Sequence, residues 1–409
     1  MIASSSSNGV APAGTFRIPP DEVSRRIAAL QKHLRSRKLA GALLFQRIDI
    51  LYFAGTAQAG YLFIPDRGDA TLFIRRHLPR AQAESPLENI LPIDTLSSLP
   101  HLLKTRHGSI AGAIGLEFDV LPVRIYHFLK SLFPEQVFGD VSALIHRTRM
   151  IKSRWELNQI ALTAALSCKI FEYMRSAIRP DLTEIEFSGI IDAFARKHGH
   201  GGGLRSRDFL TDLYSWHILS GTSGGRLGHL DSPASGSGTS VAFPCGAGYK
   251  KLAANEPVMV DFGTVLNGYH MDETRMFSIG SLPAKAHAAC RAAIDIHRAV
   301  LEAARPGVTM DTLFNLAVRT AETLGYGEQF LGPPGHKTAF IGHGVGLELV
   351  EPPFIARGKK EKLEPGMVLA VEPKMVFADR FCAGIESVIT ITETGAALLS
   401  QVPEEIFIC

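Results

Sequence analysis

Up to about residue 146 the apolar positions switch between a helical and a two-residue period. Glu22 to Lys38 has helical spacing, while Gly41–Phe45, Tyr61–Ile64, Ala70–Ile74 and Ile110–Glu117 are short apolar runs that predict strands. This is the pattern of an α/β domain, assigned to residues 17–150, behind a Ser-, Gly- and Ala-rich stretch, 1–16, that reads as a flexible tail. A new helix opens at Ser153, which forms with Glu156 an S-x-x-E capping box that satisfies free amides of the first turn. A second domain is therefore assigned to 151–409. Within it, Ala177-Ile-Arg-Pro-Asp-Leu-Thr183 and Ala303-Ala-Arg-Pro-Gly-Val-Thr309 each combine a helix stop with a helix start, and each is followed by a second helix and then strands. The expectation is an α+β domain of two similar α-α-β halves about a pseudo-twofold, with a site at their junction.

Composition narrows the partners. The 409 residues are 46% hydrophobic and 20% charged, which is globular, and the formal net charge of +3 comes with no separate block of Lys or Arg. Nucleic acid and anionic membranes are not expected partners; a short peptide or another small amide is. The five cysteines, Cys168, Cys245, Cys290, Cys382 and Cys409, are scattered and never form C-x-x-C, which argues against a disulfide framework and a thiolate zinc site and for a reducing, cytoplasmic setting. No apolar run of 18 residues predicts a membrane span.

The candidate chemistry lies in the second domain. Asn267-Gly268 between two apolar runs predicts a two-residue hairpin turn, so Leu266 faces Tyr269, Gly263 faces Asp272 and Asp261 faces Thr274. Asp261 and Asp272 then share a face, with backbones roughly 7–8 Å apart, where one cation could bridge them. This pair alone also admits a carboxylate turned to solvent or paired with Arg275. A second turn centred on Asp379 would set Glu372 opposite Glu386, and between the hairpins lies the glycine-flanked His343. Four carboxylates and one imidazole suit two divalent ions of hard or borderline type, Mn²⁺ foremost, with Co²⁺, Zn²⁺ or Fe²⁺ also compatible. Such a pair would activate a bridging hydroxide for attack on a carbonyl.

In these motifs the chain resembles the superfamily of methionine aminopeptidase, Xaa-Pro aminopeptidase, prolidase and creatinase, the pita-bread fold. Asp261, Asp272 in Asp-Glu-Thr-Arg275, His343 in Gly-His-Gly-Val-Gly, Glu372 in Val-Glu-Pro and Glu386 in Gly-Ile-Glu fall where the family holds its two metals, in the same order. Asp49-Ile-Leu-Tyr-Phe-Ala-Gly55 and Gly115-Leu-Glu117 resemble the creatinase-type N-terminal domain. The resemblance implies a metallopeptidase of the Xaa-Pro type acting on short peptides, Glu372 as both ligand and proton shuttle, and a homodimer. His217 and His229 are candidates for substrate contact. One departure is Val350, where family peptidases usually carry a second His; the missing donor is a contact typically worth about 2.7–4 kcal/mol in oxyanion-type stabilisation. Two alternatives remain: a creatinase-like metal-free C–N hydrolase, and a non-catalytic binding protein on the same fold.

Other motifs carry less. Gly221-Thr-Ser223-Gly-Gly225 matches the nucleophile elbow G-x-S-x-G, but the glycine- and proline-broken stretch after it is not the helix that an elbow needs. Glu117 and Asp119 read as a solvated strand end.

Overall fold

The computed structural model describes residues 16–207, 216–228 and 232–409. The expected tail, apart from Phe16, lies outside these residues. The chain divides into two compact units, one up to Arg149 and one from Met150.

The first unit runs α1 (Pro20–Ser36), β1 (Leu39–Leu44), α2 (Arg47–Ala54), β2 (Gly60–Pro65), β3 (Thr71–Ile74), α3 (Leu78–Glu84), β4 (Ile90–Pro92), α4 (Leu99–His107), β5 (Ala113–Leu116), α5 (Val123–Leu132), β6 (Phe138–Asp140) and α6 (Ser142–Met150). Its strands form one mixed sheet in the order β4-β3-β2-β1-β5-β6. Leu43, Phe63, Phe73, Ile114 and Leu116 from the sheet and Leu99, Leu103 and Leu129 from helices make its core. The four expected strands are present with ends shifted by up to three residues. Glu117 departs from expectation. It is fully buried, and its carboxylate accepts the amides of Phe45 (2.6 Å) and Gln46 (3.2 Å). The pairing of β1 with β5 carries that strand end inward, where a carboxylate that caps two free amides is stable. Asp119 is exposed and lies 3.2 Å from His146 Nε2.

The second unit runs α7 (Arg154–Ala177), α8 (Glu184–Lys197), β7 (Trp216–Ser220), β8 (Val258–Leu266), β9 (Tyr269–Ser278), α9 (Ala284–Ala303), α10 (Met310–Thr323), β10 (Phe340–Gly344), β11 (Glu351–Ala356), β12 (Val368–Val371), β13 (Lys374–Phe377), β14 (Phe381–Gly384), β15 (Ser387–Ile391), β16 (Ala396–Leu398) and β17 (Phe407–Ile408). The expected capping box of Ser153 with Glu156 forms, Thr183 makes a second with Glu186, and Thr309 caps α10 through the Thr312 amide. Each half thus sets two helices before its strands. The first half carries the sheet β17-β9-β8-β7 and the second β11-β10-β12-β15-β16 beside the ribbon β13-β14.

Two cores follow from the two-residue period. On β8, Val258, Val260 and Phe262 face α7 and α8, where they meet Ile170, Phe171, Phe187 and Ile191. Met259, between them, joins a different core with Met276 of β9, Ala289 and Ala293 of α9, and Leu369, Val371 and Ile389 of the second sheet. Asp261, two residues on from Met259, shares its face of β8 and so looks toward the second half.

Candidate metal centre

The first hairpin has the computed register. Leu266 pairs with Tyr269, Gly263 with Asp272 and Asp261 with Thr274, and Asn267 (φ 54°) and Gly268 (φ 85°) both take the left-handed conformation that a type I′ turn requires. Asp272 and Thr274 sit on the face of Met276, toward the second half, whereas Glu273 points back to α7 and bonds Ser167. In the second half, Val371 pairs with Ser387 and Lys374 with Gly384, so both registers set Glu372 opposite Glu386, with Asp379 (φ 55°) at the centre of the turn.

The halves are stitched at the site itself. Glu386 N donates to Thr274 O (3.1 Å), and Thr274 Oγ1 donates to Glu386 Oε2 (2.9 Å). Arg275 pairs with neither Asp261 nor Asp272. Its buried guanidinium donates to the carbonyls of Thr274 (2.9 Å), Glu386 (2.5 Å), Val402 (2.6 Å) and Pro403 (2.7 Å), which ties both hairpins to the C-terminal segment.

His343 lies on β10, between β11 and β12, and its neighbours must be small. A Cβ on Gly342 would stand 2.3 Å from Ala370 O, and one on Gly344 would stand 2.6 Å from Glu351 O. The ring donates through Nδ1 to Gly344 O (3.1 Å), which turns Nε2 toward the carboxylates. From Nε2, Asp272 Oδ2 is 3.7 Å away, Glu372 Oε1 3.6 Å and Glu386 Oε1 3.8 Å. These gaps exceed hydrogen bonds and suit donors around one cation with bonds of about 2.0–2.2 Å. Asp272, His343 and Glu386 each offer an atom within 4.8 Å of the others, and all three are buried. The structure thus brings Asp261, Asp272, His343, Glu372 and Glu386 into one cluster.

A residue not foreseen also enters it. Lys374 Nζ lies 2.9 Å from Asp261 Oδ2, 2.7 Å from Glu372 Oε2 and 3.4 Å from Glu386 Oε2, with its side chain 2% exposed. Two facts in the sequence pointed to it: it follows Glu372 by two residues, hence on the same face, and it is the lone charge between Pro373 and Phe377.

Charge at the site is unbalanced. Four carboxylates face one ammonium. Burial, and then the neighbouring Glu386 and Asp261, hold Asp272 well above the usual carboxylate range. Burial likewise pushes Glu386 up to about 8, against the pull of Lys374. Burial would raise Asp261 as well, but Lys374, together with His217 and His343, outweighs it and brings it down. Burial works to lower Lys374, and Asp261, Glu372 and Glu386 together keep it well above its ordinary value. The two carboxylates that resist ionisation, Asp272 and Glu386, face His343, where a divalent cation would offset the cost of their charge. On the Asp261 side the carboxylate oxygens already have a cation, the ammonium.

His217 pairs with Asp261 across β7 and β8 and is half-buried beside the cluster. Burial lowers its basicity and Asp261 opposes that shift. His229 lies outside the described residues. Val350 sits between β10 and β11, bridged to Ser206. The Gly221–Gly225 segment is a single 3-10 turn followed by extended Arg226, and Ser223 is buried with its hydroxyl on Glu184 (3.2 Å), so it is no nucleophile elbow.

Residues 158–393 match metallopeptidase family M24, and residues 26–151 match the creatinase/prolidase N-terminal domain. The chain belongs to metallopeptidase family M24. This M24 chain is 25% identical over 388 residues to the Xaa-Pro dipeptidase of Pyrococcus furiosus, covering 94% of its own length and 100% of that protein. It superposes on a structure described as an Xaa-Pro dipeptidase from Bacillus anthracis with TM-score 0.80 and 25% identity, covering 95% of this chain and all of that one. A prolidase from Pyrococcus horikoshii OT3 shares the fold at TM-score 0.78 and 22% identity, over 93% of this chain and 99% of that one. The two-domain, pita-bread architecture expected from the motifs is the one observed. Among the described residues no helix is long and apolar enough to cross a membrane.

Proposed function

We propose that this M24 metallopeptidase hydrolyses short Xaa-Pro peptides, as a dipeptidase or aminopeptidase, with a divalent cation held by Asp272, His343, Glu372 and Glu386. The observation that carries this reading is the convergence of three buried ligand atoms, from Asp272, His343 and Glu386, within 4.8 Å of one another. The names of full-length relatives supply the substrate class.

When bound, such an ion supplies Lewis-acid polarisation of the scissile carbonyl and an activated water. The chain's own groups do the rest. Glu372 places one carboxylate oxygen toward His343 and the other on Lys374, so it can take a proton at the first oxygen while the ammonium holds the second. The Nδ1 bond to Gly344 O orients the His343 ring so that Nε2 faces the carboxylates. His217, kept largely neutral by burial, is the candidate to hydrogen-bond the substrate beside Asp261. Manganese is favoured by the oxygen-rich donor set. A homodimer rests on the resemblance, and a cytoplasmic setting is supported by five free cysteines.

The Lys374 ammonium also favours a second reading, a metal-free C–N hydrolase of creatinase kind, because a cation is already supplied. The test is metal analysis of the purified protein together with hydrolysis of a panel of Xaa-Pro dipeptides and longer peptides with added Mn²⁺. Bound metal and Mn²⁺-dependent release of the N-terminal residue are expected. A metal-free protein inert toward every Xaa-Pro substrate overturns the proposal.

A further inference from the structure

We infer that Lys374 is a built-in replacement for the second of two metal ions, so that this chain binds one divalent cation and takes a second only when the lysine is removed. The inference rests on the metallohydrolase reading above and specifies its metal content.

The oxygens of the two glutamates divide the site. Oε1 of Glu372 and Oε1 of Glu386 lie 3.6 and 3.8 Å from His343 Nε2, with Asp272 Oδ2 at 3.7 Å. Oε2 of each turns the other way, and there Lys374 Nζ joins them to Asp261 Oδ2 at 2.7, 3.4 and 2.9 Å. Two carboxylates that bridge two cations make this division, and here one of the two positions is an ammonium. It gives one positive charge where an ion would give two, and it forms hydrogen bonds instead of coordinate bonds.

The lysine is fitted to its place. Lys374 and Gly384 are partners across β13 and β14, and a Cβ on Gly384 would stand 2.7 Å from Lys374 Cγ. The missing side chain is the groove in which the stem lies. The backbone is fixed as well, since Leu331 N donates to Lys374 O (2.9 Å). Asp261, one of the five expected ligands, thereby becomes the counter-ion of Lys374, and the single cation belongs to the His343 side.

The experiment counts ions. Wild type, Lys374→Gly and Lys374→Ser are saturated with Mn²⁺, dialysed, and measured by elemental analysis and electron paramagnetic resonance, with circular dichroism as the folding control. The expected result is one ion per chain with an uncoupled spectrum in wild type. Either variant should bind two ions with an exchange-coupled spectrum, because ions about 3.5–4 Å apart interact. The serine variant serves if the glycine variant fails to fold. Asp261→Asn should keep the single ion, whereas Asp272→Asn should lose it. Two ions in wild type, or one ion in wild type and in both lysine variants, overturns the role of Lys374 and leaves the metallohydrolase reading standing. No ion in any of the three proteins overturns that reading and this inference with it.

Discussion

Arg275 offers the sharpest test of how the site is assembled. Its guanidinium is 1% exposed and donates to four main-chain carbonyls, those of Thr274, Glu386, Val402 and Pro403. Arg275→Ala would leave these acceptors without their donor in a space that water enters poorly. Each hydrogen bond from a charged donor contributes about 1.5–3 kcal/mol, and an unsatisfied buried acceptor costs a similar amount. The four share one side chain and relax together, so their losses do not add. A net loss of about 3–5 kcal/mol is expected, the range for removing one member of a buried charged network. For a unit of this size that is a fall of roughly 6–20 °C in Tm. Arg275→Lys keeps the charge but not the fork, and should lose about half as much. Because Nη1 holds the Glu386 carbonyl, the affinity for Mn²⁺ should fall together with stability. Thermal denaturation of the metal-free variants and calorimetric Mn²⁺ titration measure both quantities. A Tm within 2 °C of wild type with unchanged Mn²⁺ affinity would show that Arg275 does not join the two halves.

Three further outcomes are expected. Asp272→Ala and Glu386→Ala should each abolish metal binding and peptide hydrolysis while the far-ultraviolet circular dichroism stays that of wild type; retained activity in either contradicts the assignment of the site. Val350→His should raise turnover on Xaa-Pro substrates by restoring a donor worth about 2.7–4 kcal/mol, and an unchanged rate would point to another substrate. In the metal-free protein, burial and then carboxylate neighbours raise Asp272 and Glu386 above their unfolded values, so folding takes up protons. The stability they lend is complete below the ordinary carboxylate range and is lost as pH rises toward about 8 for Glu386. The gain in Tm on adding Mn²⁺ should therefore grow between pH 5 and 8, and a gain that is flat or shrinks across that window would count against a cation at these residues.

Much of the fold could be read from local rules. The Asn267-Gly268 turn requires two left-handed residues, which fixes the pairing of β8 with β9, and the two-residue period then puts Asp261, Asp272 and Thr274 on one face. The same arithmetic about Asp379 sets Glu372 against Glu386. The capping boxes at Ser153 and Thr183 mark helix starts because the bond from side chain to amide lies within four residues.

Other features depended on contacts that no local rule reaches. Glu117 looked like a solvated strand end until β1 paired with β5 and brought the Phe45 and Gln46 amides to it from more than seventy residues away. Arg275 was a possible partner for either aspartate, and only the docking of the C-terminal segment gave it carbonyls instead. The two-residue period already put Lys374 on the face of Glu372. That its ammonium meets Asp261, 113 residues earlier, was decided by the stitching of Thr274 to Glu386 between the halves. Alone, the sequence determined the turns, the registers and the list of acidic ligands, because these are set by backbone conformation over a few residues. The tertiary structure decided which charges share a space and which cation already stands among them, because electrostatic energy depends on separations that arise only when distant strands are packed together.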